Sequence, residues 1–360
     1  MIKNIHYISE TFLPSTSAYS IHVMKMCNEF SKSKIKTSLF IFGKKKNQNF
    51  HKNYNCKNKF KIIHFGINKN NFFTRIIYAY KLILYLKDYE TIIISRSIIS
   101  ALLLNIFKKE VILEIHHIFA GFTKFLFLFL KNFKNFKNIK IIFISKKLKN
   151  EFALKNKSII LDDAVDIDDF NIKNKKKTFN NTCAYAGSFA KGKGIENILE
   201  ISKICKNINF DLYGDFSNSN YSTKFFSKIK NINYKGYLNY KDIPSTLNRY
   251  NVLLLPYSKK VHVRSDNLET SKHMSPLKLF DYLSAKKIIL ASKMSVYSHI
   301  LNKKNSILLN PEDHIKWAQK INYIFNNLND FKKLRFNAFE TAKKYTWSKR
   351  VKQVLKFLND

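Results

Sequence analysis

The chain has 360 residues, enough for two domains of roughly 100–200 residues each. Hydrophobic residues make up 45%, which supports a packed core and excludes a disordered chain. Lys and Arg number 64 against 25 Asp and Glu, a formal +39, so the partners to expect are anionic: phosphorylated small molecules, an anionic membrane surface or nucleic acid. The lysines are scattered among asparagines along the whole length, and Gly and Pro are scarce, as a general compositional bias leaves them. No helix-turn-helix, RRM or zinc pattern accompanies the charge, so no specific nucleic-acid partner is expected. Cys27, Cys56, Cys183 and Cys205 show no CxxC or Cys/His metal spacing, which fits a reducing compartment. Met1 leads straight into a strand-like run and no apolar run reaches ~18 residues. Neither a signal peptide nor a spanning helix is expected, and the location reads as cytoplasmic, including the inner face of the membrane.

Strand and helix patterns alternate from the start, which predicts parallel sheets with covering helices. Asn4–Ser9 is a strand, followed by a polar loop to about Tyr19. Ile21, Met24, Cys27 and Phe30 then mark one face of a helix. Thr37–Phe42 is a strand, and Lys44–Lys59 reads as an exposed, mobile Lys/Asn-rich loop. Ile62–Phe65 is strand-like, and Phe73–Leu86 has helical periodicity. Ile92–Ser95, Val111–Ile115 and Ile141–Ser145 are buried strands, and Ile159–Leu161 closes this half. Phe125–Leu130 (FLFLFL) reads first as a core helix; with Lys124 it would alternatively form an apolar, basic surface suited to a lipid-linked acceptor. Asp162–Phe170, DDAVDIDDF, has no regular period and reads as a linker; Asp166 and Asp168 are poor metal ligands on a tether that is not preorganised.

The alternation then restarts. Thr182–Ala186, Ile208–Tyr213, Ile232–Tyr234, Val252–Leu255 and Ser306–Leu309 are strands. Gly187–Gly194 joins a strand to a helix, and glycines with lysines at a helix start suit a pyrophosphate. Tyr257–Met274 is a long polar loop of the kind that carries function. Ser275–Ser292, SPLKLFDYLSAKKIILAS, reads as loop, short helix and buried strand. Pro276 suits the first helical position, Leu277, Phe280 and Leu283 share a face, and Lys278 stands beside free backbone N–H groups. Asp281, one turn on, has the chemistry to accept hydrogen bonds from sugar hydroxyls. Two helical patterns close the chain, the last with Val351, Val354, Leu355 and Leu358 on one face, and no internal repeat is visible.

The stretch S-P-L-K-L-F-D-Y-L, with A-K-K-I-I-L-A-S behind it, resembles the donor-site signature of the retaining glycosyltransferases of family 4, which have the GT-B fold. Tyr185, Gly187, Lys193 and Gly194 are similar to the family's Y-x-G-x-x-x-x-K-G, and Glu114-Ile115-His116 to its E-[IV]-H. The resemblance implies two Rossmann-like domains facing each other across a cleft. Residues 1–162 would form the acceptor domain, 163–180 a linker, 181–344 the nucleotide-sugar donor domain, and 345–360 a helix crossing back to the first. It implies a nucleotide-sugar donor as substrate, a saccharide or lipid-linked acceptor, no metal or other cofactor, and a setting in bacterial surface polysaccharide or lipopolysaccharide assembly.

By the same resemblance, Lys193 and Lys278 stabilise the leaving diphosphate, Asp281 holds the ribose, and His116 positions the transferred sugar, with His117 as its alternative by register. Gly187, Ser188, Gly194, Ser275, Pro276 and Leu277 line the phosphates. Ser188 stands where the family often has Arg, with Lys191 at hand to compensate. His273 and Asp281 stand at the two ends of the family's E-x7-E, so His273 would donate to a sugar hydroxyl where a carboxylate usually accepts. Ser17 and Ala18, in a first loop that lacks the family's glycines, would approach the acceptor. Two other readings exist: a polyanion or nucleic-acid binder resting on charge alone, and an inverting glycosyltransferase or nucleotide-sugar epimerase on the same architecture.

Overall fold

The computed structural model describes residues 2–87, 91–107, 109–172, 178–216, 219–263 and 265–360. The chain divides into two compact units: Met1–Asp162 with Trp347–Asp360, and Asp163–Thr346. In unit 1 the elements run β1 (Asn4–Ile8), α1 (Ala18–Lys32), β2 (Lys36–Ile41), α2 (Phe50–Asn53), β3 (Lys61–His64), α3 (Phe72–Leu86), β4 (Ile92–Ser95), α4 (Ile98–Ile106), β5 (Val111–Ile115), α5 (Gly121–Leu130), β6 (Lys140–Phe143), α6 (Lys146–Phe152) and β7 (Ser158–Ile160). Its seven strands are all parallel, in the order β3-β2-β1-β4-β5-β6-β7. The central strands β4 (IIIS) and β5 (VILEI) are nearly continuous apolar runs, as strands buried on both faces are.

Unit 2 repeats the plan: β8 (Thr182–Ala186), α7 (Ile195–Ile204), β9 (Asn209–Tyr213), α8 (Thr223–Phe226), β10 (Ile232–Tyr234), α9 (Ile243–Leu247), β11 (Val252–Leu255), β12 (His262–Val263), β13 (Ser265–Glu269), α10 (Leu277–Ser284), β14 (Ile288–Ser292), β15 (Ile307–Leu309), α11 (His314–Asn326) and α12 (Lys332–Ala342). Its sheet is parallel, in the order β10-β9-β8-β11-β14-β15. In each unit the order reverses beside the first strand, between β1 and β4 and between β8 and β11. Loops at the carboxyl ends of those strands diverge there and leave a crevice.

Helix α13 (Trp347–Asn359) belongs to unit 1 and packs on α1. Its inward stripe is Trp347, Arg350, Val351, Val354, Phe357 and Leu358, not the stripe with Leu355 expected from periodicity. With α13 on one side and the sheet on the other, α1 is buried along most of its length, from His22 to Phe30, including Lys25, whose Nζ donates to the Asn55 carbonyl at 3.1 Å.

Four stretches depart from the sequence reading. The 44–59 loop is pinned: Phe50 and Tyr54 are buried, and the Tyr54 hydroxyl bonds both the amide and the carbonyl of Ser15 at 2.8 Å. The 257–274 loop contains the antiparallel pair β12–β13, a pairing that needs no apolar run to form. Residues 163–170 are no loose tether: Ala164 and Val165 are buried, and the Val165 amide donates to the Tyr345 carbonyl at 3.0 Å. The rest of the expected linker includes 173–177, which lie outside the described residues. Helix α5 buries only Phe127 and Leu130, so most of FLFLFL is surface and the core-helix reading fails.

A candidate diphosphate site in unit 2 and a closed ion network in unit 1

The loop after β8 begins at Gly187, whose amide donates to the Tyr213 carbonyl at 2.9 Å. A Cβ there would collide with the Lys278 ammonium, so the absence of a side chain is what lets that lysine reach the strand end. Tyr185 anchors the turn by donating from its hydroxyl to the Ser188 carbonyl at 2.7 Å. Gly194 caps α7 at φ +99°, with the Pro256 carbonyl occupying the space a Cβ would need. The β8 loop and the Pro256 end of β11 are thus packed together at the switch point. Lys193 lies on this loop, and Lys278 opens α10.

The two ammonium groups share one aromatic floor. Lys278 Nζ stands 4.0 Å over the Tyr185 ring and 5.1 Å from that of Tyr257; Lys193 Nζ is 5.3 Å from the same Tyr257 ring. Lys278 Nζ is buried with no hydrogen-bond partner among the described residues, and so is the Tyr257 hydroxyl. Neither lysine forms an ion pair with a described residue. Burial pushes the Lys278 ammonium well below its ordinary range, with Lys193 adding repulsion, and burial alone lowers Lys193 to about 8. A ring face returns about 0.5–2 kcal/mol, less than the several kcal/mol an unpaired buried charge costs. An anion placed here would supply the charge that the rings do not.

Helix α10 adds to that demand. Pro276 is its N-cap, one place earlier than expected, and no side chain caps its first turn. The Leu279 amide turns back to the Pro276 carbonyl at 3.0 Å, and a helix start of this kind suits an anion. Ser275 is buried, and its Oγ accepts from the Asp163 amide at 2.9 Å, tying the start of unit 2 to this turn. Leu277 is buried beneath the helix start. His273 and Asp281 are both buried, so neither is the solvated loop or helix residue their surroundings in the sequence allow. Gly187, Ser188, Lys193, Gly194, Pro276 and Lys278 thus gather at one strand end. Tyr257 and Tyr282, whose hydroxyl accepts from the Ala186 amide at 2.9 Å, were missed by sequence reasoning. The signal for Tyr257 was its place directly after a buried strand and a proline.

Unit 1 holds a second cluster of charge, and it is closed. Glu114 ends the buried strand β5. Its Oε1 is 3.0 Å from His22 Nε2 on α1 and 3.0 Å from His116 Nε2, and it receives Arg350 Nη2 from α13, while Tyr7 donates to Oε2. Arg350 also donates to the Leu161 and Asp162 carbonyls. Burial alone would raise the Glu114 carboxyl, but His22, Arg350 and the His116 hydrogen bond together hold it well below the usual range. His116 is lowered to about 3 by burial and by the nearby Arg96, against the pull of Glu114, so it is neutral at pH 7. Its Nε2 faces an ionised carboxylate and carries the proton, which leaves Nδ1 as an acceptor.

His22, Glu114 and His116 bring ligating atoms within 4.8 Å of one another, a grouping the sequence gave no sign of. Arg350 already sits on the oxygen they share, which opposes a cation there. His117 is exposed and His116 half-buried, so His116 is the one of the pair that faces Glu114. Ser17 caps α1, its Oγ accepting from the Ser20 amide at 3.3 Å, and Ala18 is the exposed first residue of that helix.

Residues 166–344 match the family described as Glycosyl transferases group 1. This half of the chain is a glycosyl transferases group 1 domain, and the protein is a glycosyltransferase. Its fold is GT-B, shared with a glycosyltransferase from Rickettsia africae at 15% identity and a TM-score of 0.76 over 100% of this chain and 99% of that one. Anabaena HepE, solved with UDP and glucose, is similar at 11% identity and 0.74 over 99% of both chains. A Staphylococcus aureus TarM variant, solved with fondaparinux, alpha-GlcNAc-glycerol and UDP, is similar at 13% and 0.71 over 100% of both. No curated protein matches the sequence.

Proposed function

We propose that this glycosyltransferase is a retaining enzyme of family 4 that moves a hexosyl group from a nucleoside-diphosphate sugar to a saccharide or lipid-linked saccharide, in assembly of a bacterial surface polysaccharide such as lipopolysaccharide. The observation that carries the reading is the buried, unpartnered Lys278 ammonium with the half-buried Lys193 beside it, neither ion-paired with a described residue. A diphosphate supplies the missing charge and accepts from the open first turn of α10. HepE and TarM, each solved with UDP, support a nucleoside diphosphate as that anion.

As the C1–phosphate bond breaks, negative charge builds on the leaving oxygen, and the two lysines stabilise it. The acceptor hydroxyl bonds to C1 on the face the diphosphate leaves, and its proton passes to a phosphate oxygen, giving the glycoside and the nucleoside diphosphate. Asp281 holds the ribose, and His116 Nδ1 accepts from a hydroxyl of the transferred sugar. The lysines do the charge neutralisation that a divalent cation performs elsewhere, so no metal is called for.

The test is calorimetry with UDP, GDP, ADP and CMP and their sugars, with and without EDTA. Saturable binding of one nucleotide class, unchanged by EDTA, is expected. Equal, salt-sensitive binding of every polyanion would leave only the charge and sink the reading. Product anomer analysis separates retention from inversion, and donor turnover without acceptor would reveal an epimerase.

A further inference from the structure

A helix covering a sheet normally turns its apolar side inward and its polar side to water. Helix α3 buries Tyr78, Ala79, Leu82 and Leu86, yet its outer stripe is also apolar: Phe73, Ile77, Tyr80 and Leu84. Phe73 is 74% exposed and Tyr80 60%. Helix α5 does the same, with Phe122 72% and Phe125 71% exposed and Phe129 beside them. The two outer stripes are joined. The Phe72 ring lies 5.4 Å from Phe122 and 5.9 Å from Phe73, and Arg75 Nη1 donates to Thr123 Oγ1 at 3.4 Å. A joined apolar surface of this kind on a folded chain marks an interaction site.

Apart from Glu10, whose carboxylate is taken up by Arg75 at 3.0 Å, the charge on these two helices has one sign. No Asp or Glu lies between Glu29 and Asp88, or between Glu114 and Glu151. Lys81 on the first helix, Lys87 directly after it and Lys124 on the second are exposed. A second copy of the chain would set these lysines against each other. An anionic bilayer satisfies both features at once: apolar side chains enter the acyl boundary while lysines meet lipid phosphates. The helices have 15 and 10 residues, and no helix of the described residues is long and apolar enough to cross a membrane, so this face would lie on the bilayer.

We propose that the α3–α5 face of unit 1 docks the enzyme on an anionic lipid surface. The inference does not depend on the donor reading, because vesicle binding and nucleotide binding are scored separately. The experiment is co-sedimentation of the full chain with vesicles of phosphatidylcholine alone and of phosphatidylcholine mixed with phosphatidylglycerol. Binding to the mixed vesicles is expected. The double variant Phe73→Ser/Phe125→Ser should weaken it at least about tenfold, and Lys81→Glu/Lys124→Glu should do likewise, since each basic side chain near the surface is worth about fivefold. All four side chains are exposed, so both variants should keep nucleotide binding by unit 2, and the fluorescence of the buried Trp347 reports the folding of unit 1. Three results would overturn the proposal: no binding to the mixed vesicles, binding undiminished in either variant, or self-association that Phe73→Ser/Phe125→Ser abolishes.

Discussion

Two buried clusters of charge, one in each unit, are built on opposite principles. In unit 1, Glu114 meets His22, His116, Arg350 and Tyr7, so the cluster is neutralised from within. In unit 2, Lys193 and Lys278 sit on aromatic rings with no counter-charge among the described residues. A compensated network mainly specifies structure, whereas an uncompensated one stores the cost of burial until a ligand arrives. Both occupy strand ends on similar sheets, so sheet topology does not distinguish them; the partner inventory does.

The largest effect expected from breaking this comparison is in unit 1. Glu114→Ala leaves Arg350 buried and unpaired and should cost about 3–5 kcal/mol. The two tryptophans allow the units to be read apart, since Trp347 lies in unit 1, 5.1 Å from the His22 ring, and Trp317 in unit 2. In a Trp317→Phe background, denaturant unfolding followed by fluorescence should show that loss. A change under 1 kcal/mol would mean the network contributes little.

Lys278→Met should act in the opposite sense. Removing an unpaired buried charge should leave the apo protein as stable or more so, by about 1–4 kcal/mol, while nucleotide affinity falls at least about a hundredfold. A thermal melt and a calorimetric titration on one sample would check both. Loss of stability together with affinity would make Lys278 a structural residue and erase the contrast between the clusters.

Much of this was legible in the sequence. Alternating apolar runs gave the two parallel sheets, and local patterns singled out Gly187 and Lys278, which the fold brings into contact. What stayed hidden was long-range. Arg350 and Glu114 are 236 residues apart, and nothing local in YTWSKRVKQVLKFL says that its arginine turns inward. The clue lay at the other end: an acid inside the apolar strand VILEI must find partners. The aromatic floor beneath the lysines was hidden for the same reason, since Tyr257 and Tyr185 meet only when β8 and β11 become neighbours. The outward face of FLFLFL was misread because a short apolar run cannot show which of its sides is covered.

A smaller effect comes from pH. Lys193 is lowered to about 8, and a bound diphosphate pulls its proton affinity back up. Above pH 8 the free site has lost that proton and must take it up to bind. Nucleotide affinity should therefore fall as the pH rises from 7 to 9.5, since burial lowers Lys278 as well, approaching tenfold per unit for each lysine at the steepest. Titrations in buffers of different ionisation enthalpy should show proton uptake growing over the same range. A flat profile from pH 7 to 9.5 would mean that no lysine in the site changes protonation on binding.

The smallest expected effect tests whether unit 1 is as self-contained as its network suggests. Ser17 was read from the sequence as an acceptor contact, yet its hydroxyl is already used, as the N-cap of α1 and within 3.0 Å of the Ser15 and Ser20 hydroxyls. Ser17→Ala should cost about 1 kcal/mol, and Ser17→Asp should restore most of it, because a carboxylate caps as well and favours the helix N-terminus. Nucleotide affinity should not move in either variant. If the aspartate fails to rescue, the hydroxyl cluster with Ser15 and Ser20 sets the stability of this turn rather than the cap. If nucleotide affinity moves instead, the separation between a compensated unit 1 and a ligand-demanding unit 2 is too simple, and the loop after β1 takes part in binding the donor.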